Sequence, residues 1–302
     1  LGYLRENWRP LLKYFIYLML PCSIVLAFFM NHFWGGYMKL VMGLENMGGG
    51  VMDNSELLSF GFSTVFTVVV YLAAYIVLVA FFYAMFRLYQ TRQNRLEGLT
   101  GDELKPELMG CLRRATVLML VGVLIAVVVA AVIGALMVGA FMLNPVFGVL
   151  SMFFLYAALL AVAVPVMLMT PIYMLEDDIT VIGALQKSFH LGFATWRGIV
   201  AVTFIIGLLA SVIQTVTMGP WYVLFIIKMV FTVSADLDGS FVNSIIYTFV
   251  EYITCVLQCL GLLLSTVITL VGLTIQYGHA ADKIDGVGVV KKIEQFDAYD
   301  NF

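Results

Sequence analysis

Within its 302 residues the chain has 3 histidines, 4 cysteines and 19 carboxylates, and their placement decides which chemistry is open to it. A zinc hydrolase or metal-dependent oxygenase needs clustered imidazole, thiolate or carboxylate ligands. His32, His190 and His279 are far apart in sequence, and neither HExxH nor another zinc spacing occurs. Neither a nucleophile elbow for serine hydrolysis nor a Gly-rich phosphate loop ending in Lys-Ser/Thr is present. Cys22, Cys255 and Cys259 fall in apolar stretches and Cys111 in a connection, so no disulfide framework is expected. The chain reads as a non-enzyme, with no catalytic, cofactor or metal residues assigned. The one acidic cluster, Glu176-Asp177-Asp178, could hold a cation, but capping of a following helix explains it as well.

Polar side chains with chemical potential do line up inside apolar sequence. Glu251, Gln258, Ser265 and Gly272 recur seven residues apart, beside a row of Cys255, Leu262, Thr269 and Gln276. Thr203, Gly207, Ser211 and Thr215 recur every fourth residue with Gln214 alongside, and Ser63, Thr67, Tyr71 and Tyr75 form a similar row. Each row keeps roughly to one helix face, since seven residues make nearly two turns. Polar atoms facing lipid lose hydrogen bonds, so these faces should turn inward. A carboxylate at the centre of a bilayer costs on the order of 2.5–3.5 kcal/mol on insertion scales, which makes Glu251 the residue to watch. Two readings stand for these rows: interhelical hydrogen bonding, or a polar path between spans 2, 5 and 6. The path would comprise Glu251, Gln214, Gln258, Ser211, Thr215, Thr67, Tyr71 and Tyr75, with Gln214 meeting Glu251 at similar depth.

The elements that must position these residues are membrane spans. A mean hydropathy of +1.01, with 62% hydrophobic and 12% charged residues, leaves too little charge for a water-facing surface. Apolar stretches long enough to cross occur at about 11–31, 58–86, 115–143, 149–175, 198–219 and 246–277. Of the 16 Lys and Arg residues, only Lys39 and Lys228 fall on one side of this layout; the others fall at the N-terminal end (Arg5, Arg9 and Lys13, the last at the very start of span 1), in 87–114, in 176–197 and in the tail 278–302. By the positive-inside rule both ends are cytoplasmic. The expected fold is an all-α, polytopic helix bundle of six spans with short interfacial helices, a single membrane domain over 1–302. The net charge of -3 is spread over two compartments, and no nucleic-acid partner is implied. The first stretch is long and carries Pro21, unlike a cleavable signal peptide. The chain opens on Leu1, so a few preceding residues are expected.

Local features refine the layout. The outer loop 31–57 is aromatic at Phe33, Trp34 and Tyr37 and Gly-rich at Gly48–Gly50, with Asp53 and Glu56 placed to cap span 2. Asn144-Pro145 makes a tight turn between spans 3 and 4, and Pro165 and Pro171 should kink or end span 4. Pro220–Val233 is apolar but only about 14 residues long, which suggests a separate interfacial or re-entrant helix. Gly122, Ala126, Ala130 and Gly134 repeat at four-residue steps, as in helices that pack closely in membranes, so span 3 is expected at the centre of the bundle, a dimer contact being the lesser reading.

The best-defined local signature runs from Pro171 through Glu176, Asp177, Ala184, Leu185, Ser188 and Leu191 to Trp196. It reads as a span end, then a short amphipathic helix, then the start of span 5. The three acids would sit at the helix N-terminus, with Ile182, Leu185 and Phe189 forming its apolar face and Gln186, Lys187 and His190 pointing to water. This stretch resembles a poorly characterised bacterial multi-spanning family related to the membrane domain of glycerophosphodiester phosphodiesterases. The resemblance covers residues 171–197 and implies a helical membrane domain. No stretch of these 302 residues is expected to form the catalytic barrel of those phosphodiesterases, so their hydrolytic activity is not carried over.

The function expected from these features is a non-enzymatic scaffold or accessory subunit of the cell envelope, in the bacterial cytoplasmic membrane. Its partners would be the lipid bilayer and proteins that dock on span 3 or the cytoplasmic helices. The alternative is a small-molecule or lipid transporter that uses the polar path.

Overall fold

The structure, a computed structural model, describes residues 2–46, 54–92, 96, 98–233, 240–284 and 286. Gly48–Gly50, Asp53, the side chain of Glu56, Arg95 and the tail lysines Lys291 and Lys292 lie outside the described residues. The described chain is helical and contains no strand. In order the helices are α1 (Gly2–Asn46), α2 (Asn54–Thr91), α3 (Gly101–Leu143), α4 (Pro145–Val166), α5 (Met169–Leu175), α6 (Val181–Ala194), α7 (Trp196–Val233) and α8 (Ile245–Ile284). Six segments are long and apolar enough to cross a membrane: one each in α1, α2, α3, α7 and α8, and one formed by α4 with α5. The protein is a multi-pass membrane protein.

Sequence explains where these helices break. Asn144 caps α4 by accepting from the Val146 amide at 2.8 Å, with Pro145 at the first helical position, so α3 and α4 are joined by one residue. Pro171 lacks an N–H and crowds the carbonyl four residues earlier, Met167. The helix breaks there: Met167 and Leu168 make a turn between α4 and α5, while Pro171 itself is buried inside α5. Pro220 has no such effect. Helix α7 runs through it to Val233, so Pro220–Val233 is the continuation of span 5 rather than a separate interfacial or re-entrant helix. In a bilayer core of ~30 Å, a 38-residue helix of ~57 Å must project past the hydrocarbon or tilt.

Two compact units make up the chain, one from Leu1–Leu104 with Leu208–Ile268, the other from Lys105–Gly207 with Thr269–Phe302. In the first, α1 and α2 pack along each other, and Leu26, Ala27, Trp221, Cys255 and Cys259 form a fully buried cluster. Trp34, Tyr71, Phe225 and Tyr252 close around that cluster. In the second, α6 packs on α4 and α5.

The tight crossings are made on α8. A side chain added at Gly261 would overlap Thr217, and one at Gly272 would overlap Ile206. The expected central role of span 3 is not met. None of the most apolar stretch of α3 is buried, and nothing lies within 4 Å of a Cβ built at Gly122, Gly134 or Gly139; Ala126 and Ala130 are exposed as well. Spacing shows that a face is smooth, but not whether a second helix reaches it.

Candidate functional site

Three groups of polar side chains stand out, and they do different work. The first is built on the 171–196 signature, within the second unit. Thr180, not the acids, caps α6: its hydroxyl accepts from the Gly183 amide at 3.1 Å, and α6 has no acid in its first turn. The acids precede the cap, and Glu176 and Asp177 are taken by side chains from other helices. Lys187 of α6 pairs with Glu176 at 2.8 Å, and the Tyr277 hydroxyl of α8 donates to the same carboxylate oxygen. Arg114 of α3 bonds Asp177 at 3.2 Å, donates to the carbonyls of Tyr173 and Glu176, and stacks 4.8 Å from the Tyr173 ring centre. A planar five-donor fork suits such a set of acceptors, where an ammonium would not.

The buried face of α6 also differs from expectation. Ala184, Ser188, Leu191 and Gly192 are buried, whereas Ile182 is 67% exposed. Small residues on that face admit a close neighbour; a Cβ at Gly192 would sit 2.6 Å from Pro165 Cα. Leu185 is half-buried, and Trp196 opens α7 largely exposed. The signature is therefore a packing and tethering element, with Pro171 at its break, Ala184, Ser188 and Leu191 on its contact face, and Glu176 and Asp177 as anchor points. Arg114 carries much of the tethering and was legible in sequence only as one more positive-inside charge.

The second group is the set of polar rows in the first unit. Glu251 is buried, its side chain 7% exposed, and its carboxylate accepts from the Lys228 ammonium at 2.7 Å. Gln214 is not its partner: it lies fourteen residues before Lys228 on α7, ~21 Å along the axis. Lys228 is five residues from the end of α7 and Glu251 six residues into α8, so the pair sits within ~10 Å of the ends joined by the α7–α8 connection. Helices of 38 and 40 residues are longer than the hydrocarbon is thick, so a helix centred in the bilayer and upright would hold this pair nearer the headgroups than the midplane. Nearby, the Tyr247 hydroxyl donates to the Leu224 carbonyl, and Trp221 donates to Asn31 Oδ1 at 3.3 Å.

The rest of the rows mostly bond to their own helices. Ser211 and Thr215 are exposed and donate to the carbonyls of Leu208 and Ser211. Thr67 is buried and bonds Ser63 O at 2.7 Å and Phe29 O at 3.1 Å, tying α2 to α1. Tyr71 and Tyr75 are half-buried. Gln258 is buried, and its Oε1 has no hydrogen-bond partner among the described residues.

The third group went unread in the sequence. Between α1 and α2, a cavity of about 360 Å³ is lined by Asn31, His32, Gly36, Lys39, Ser59 and Ser63, among others. Phe60 approaches so closely that a Cβ at Gly36 would lie 3.1 Å from its ring. An open, apolar groove of about 680 Å³ shares His32, Ser59 and Ser63 with the cavity and is walled by Phe28, Phe62 and Phe66. The available signal was Ser55, Ser59 and Ser63 at four-residue steps on α2 opposite His32 and Lys39 on α1. Among the described residues, no group of three or more His, Cys, Asp and Glu side chains is arranged to hold a metal.

Compared with known proteins, the chain matches no family model, no curated protein and no solved structure.

Proposed function

We propose that the chain is a non-enzymatic scaffold or accessory subunit of a bacterial cell envelope, seated in the cytoplasmic membrane with both ends on the cytoplasmic side. The orientation rests on the distribution of Lys and Arg. Kinship with the membrane domain of glycerophosphodiester phosphodiesterases belongs to the same proposal, and its support is the 171–196 signature.

One observation carries the scaffold reading over the transporter reading. The acid that would define a transport site, Glu251, is closed off by Lys228 near the helix ends. Transport sites instead lie near the midplane, at broken helices. Ser211 and Thr215, two further members of the supposed path, bond their own backbone on an exposed face. Tethers such as Arg114 with Tyr173, Glu176 and Asp177 fix helices in one arrangement, as a docking platform requires. The unpartnered Gln258 Oε1 is the feature that favours a polar path.

Cysteine accessibility separates the two without a known substrate. Single cysteines at Thr67, Tyr71, Gln258 and Gln214 would be challenged with a small, membrane-impermeant thiol reagent from either side, with Asp53 and Gln93 as outer and inner markers. A scaffold leaves Thr67, Tyr71 and Gln258 unreactive from both sides. Reaction of the same position from both sides would establish alternating access and replace the scaffold by a transporter.

A further inference from the structure

We propose that the cleft between α1 and α2 binds the phosphate headgroup and one acyl chain of an anionic phospholipid. The argument begins with charge. Lys39 and Lys228 are the two basic residues placed on the outer side, and they are not alike. Lys228 is neutralised by Glu251, whereas Lys39 has no ion-pair partner among the described residues and lines the cavity. None of the described residues lining that cavity is acidic.

The remaining polar groups are donors. Asn31 Oδ1 is already occupied by the Trp221 indole N–H, which leaves its NH₂ to donate. Ser59 contributes a hydroxyl, and the His32 imidazole contributes an N–H. Ser63 is spent, since its hydroxyl donates to the Phe60 carbonyl at 2.8 Å. One cation and several neutral donors with no carboxylate suit a ligand that offers several acceptor oxygens and negative charge, as a phosphate does.

Position supplies the rest. The apolar groove continues from the same serines along Phe62 and Phe66, and Phe28 lies eleven residues before Lys39 on α1, ~16 Å along the axis. A polar pocket with a cation at the helix end, grading into a phenylalanine-walled groove toward the middle of the same helix, matches an amphiphile standing along the membrane normal. A free phosphate would have no use for the groove. The proposal is independent of whether the protein is a scaffold or a transporter.

The test is native mass spectrometry of the full chain released from detergent, titrated with phosphatidylglycerol or phosphatidylcholine of equal chain length. Phosphatidylglycerol should be retained about tenfold more tightly, the order of one charge-assisted hydrogen bond. The double variant His32→Gln/Lys39→Gln should bring it to the level of phosphatidylcholine, while Lys13→Gln, which removes a cation elsewhere on α1, should leave the preference intact. Should the double variant misfold, Ser59→Phe fills the cavity from an exposed position and should abolish the same preference. Equal retention of the two lipids, or a preference that survives both variants, would overturn the proposal. Displacement of bound lipid by inorganic phosphate alone would overturn its lipid component in favour of a soluble anion.

Discussion

Replacing Lys228 by Met strands the Glu251 carboxylate, whose side chain is 7% exposed, without its cation. Breaking a fully buried ion pair from one side costs about 3–5 kcal/mol, because the remaining charge keeps its desolvation penalty and loses its compensation. The Lys228 side chain is 31% exposed, so water can partly solvate the site, and ~2–3 kcal/mol is the expected loss. At about 2–4 °C per kcal/mol, that lowers the melting temperature by ~5–10 °C. The pair should behave as a unit. Lys228→Met/Glu251→Gln removes the stranded charge, and its stability should return to within ~1 kcal/mol of the starting protein, a loss ~1–2 kcal/mol smaller than that of Lys228→Met alone. A thiol-reactive fluorophore offers a direct readout, because the Cys111, Cys255 and Cys259 thiols are buried in the folded protein and become reactive on unfolding. Additive losses, with the double variant at least as unstable as the two single variants combined, would refute the reasoning that Glu251 is held by Lys228.

Other substitutions probe the remaining tethers with the same assay. Arg114→Lys keeps the charge but loses the fork that serves Tyr173, Glu176 and Asp177, and should cost ~2–3 kcal/mol; an unchanged melting temperature would remove Arg114 from the tether. Gly261→Leu and Gly272→Leu must displace Thr217 and Ile206 and should lose ~1–3 kcal/mol, whereas Gly134→Leu on the open face of α3 should stay within ~0.5 kcal/mol; the reverse order would restore α3 to the packed interior. Thr180→Ala should cost ~1 kcal/mol as the lost α6 cap and Asp178→Asn much less, and equal losses would return the capping role to the acids.

The six spans were legible in the sequence because lipid exposure is a property of composition over about 20 residues, which needs no knowledge of neighbours. Pro165 and Pro171 foretold the α4–α5 break for a local steric reason, and Asn144-Pro145 foretold the α3–α4 turn. Pro220 misled, because the same residue type is tolerated in a membrane helix. The glycines of α3 and of α8 look alike in sequence; among them, only Gly261 and Gly272 have a second helix against them. Glu251 was identifiable as a lone acid in an apolar stretch, but its partner depends on how far α7 continues. Once α7 is known to reach Val233, counting back from the α7–α8 connection brings Lys228 level with Glu251. Arg114 and the α1–α2 cavity depend on contacts 59 or more residues apart or on two helix faces at once, and neither leaves a local pattern.

Whether the protein keeps one arrangement or alternates between two is the question beneath its proposed role, and pulsed electron–electron resonance in proteoliposomes answers it most directly. Spin labels at exposed Leu57 and Val230 report on the first unit, and labels at exposed Met109 and Ile182 on the second. A scaffold locked by Lys228–Glu251 and by Arg114 should give one narrow distance for each pair, unchanged by an imposed proton or sodium gradient. A second distance in each pair, growing at one end as it fades at the other, would contradict that arrangement and make the protein a transporter.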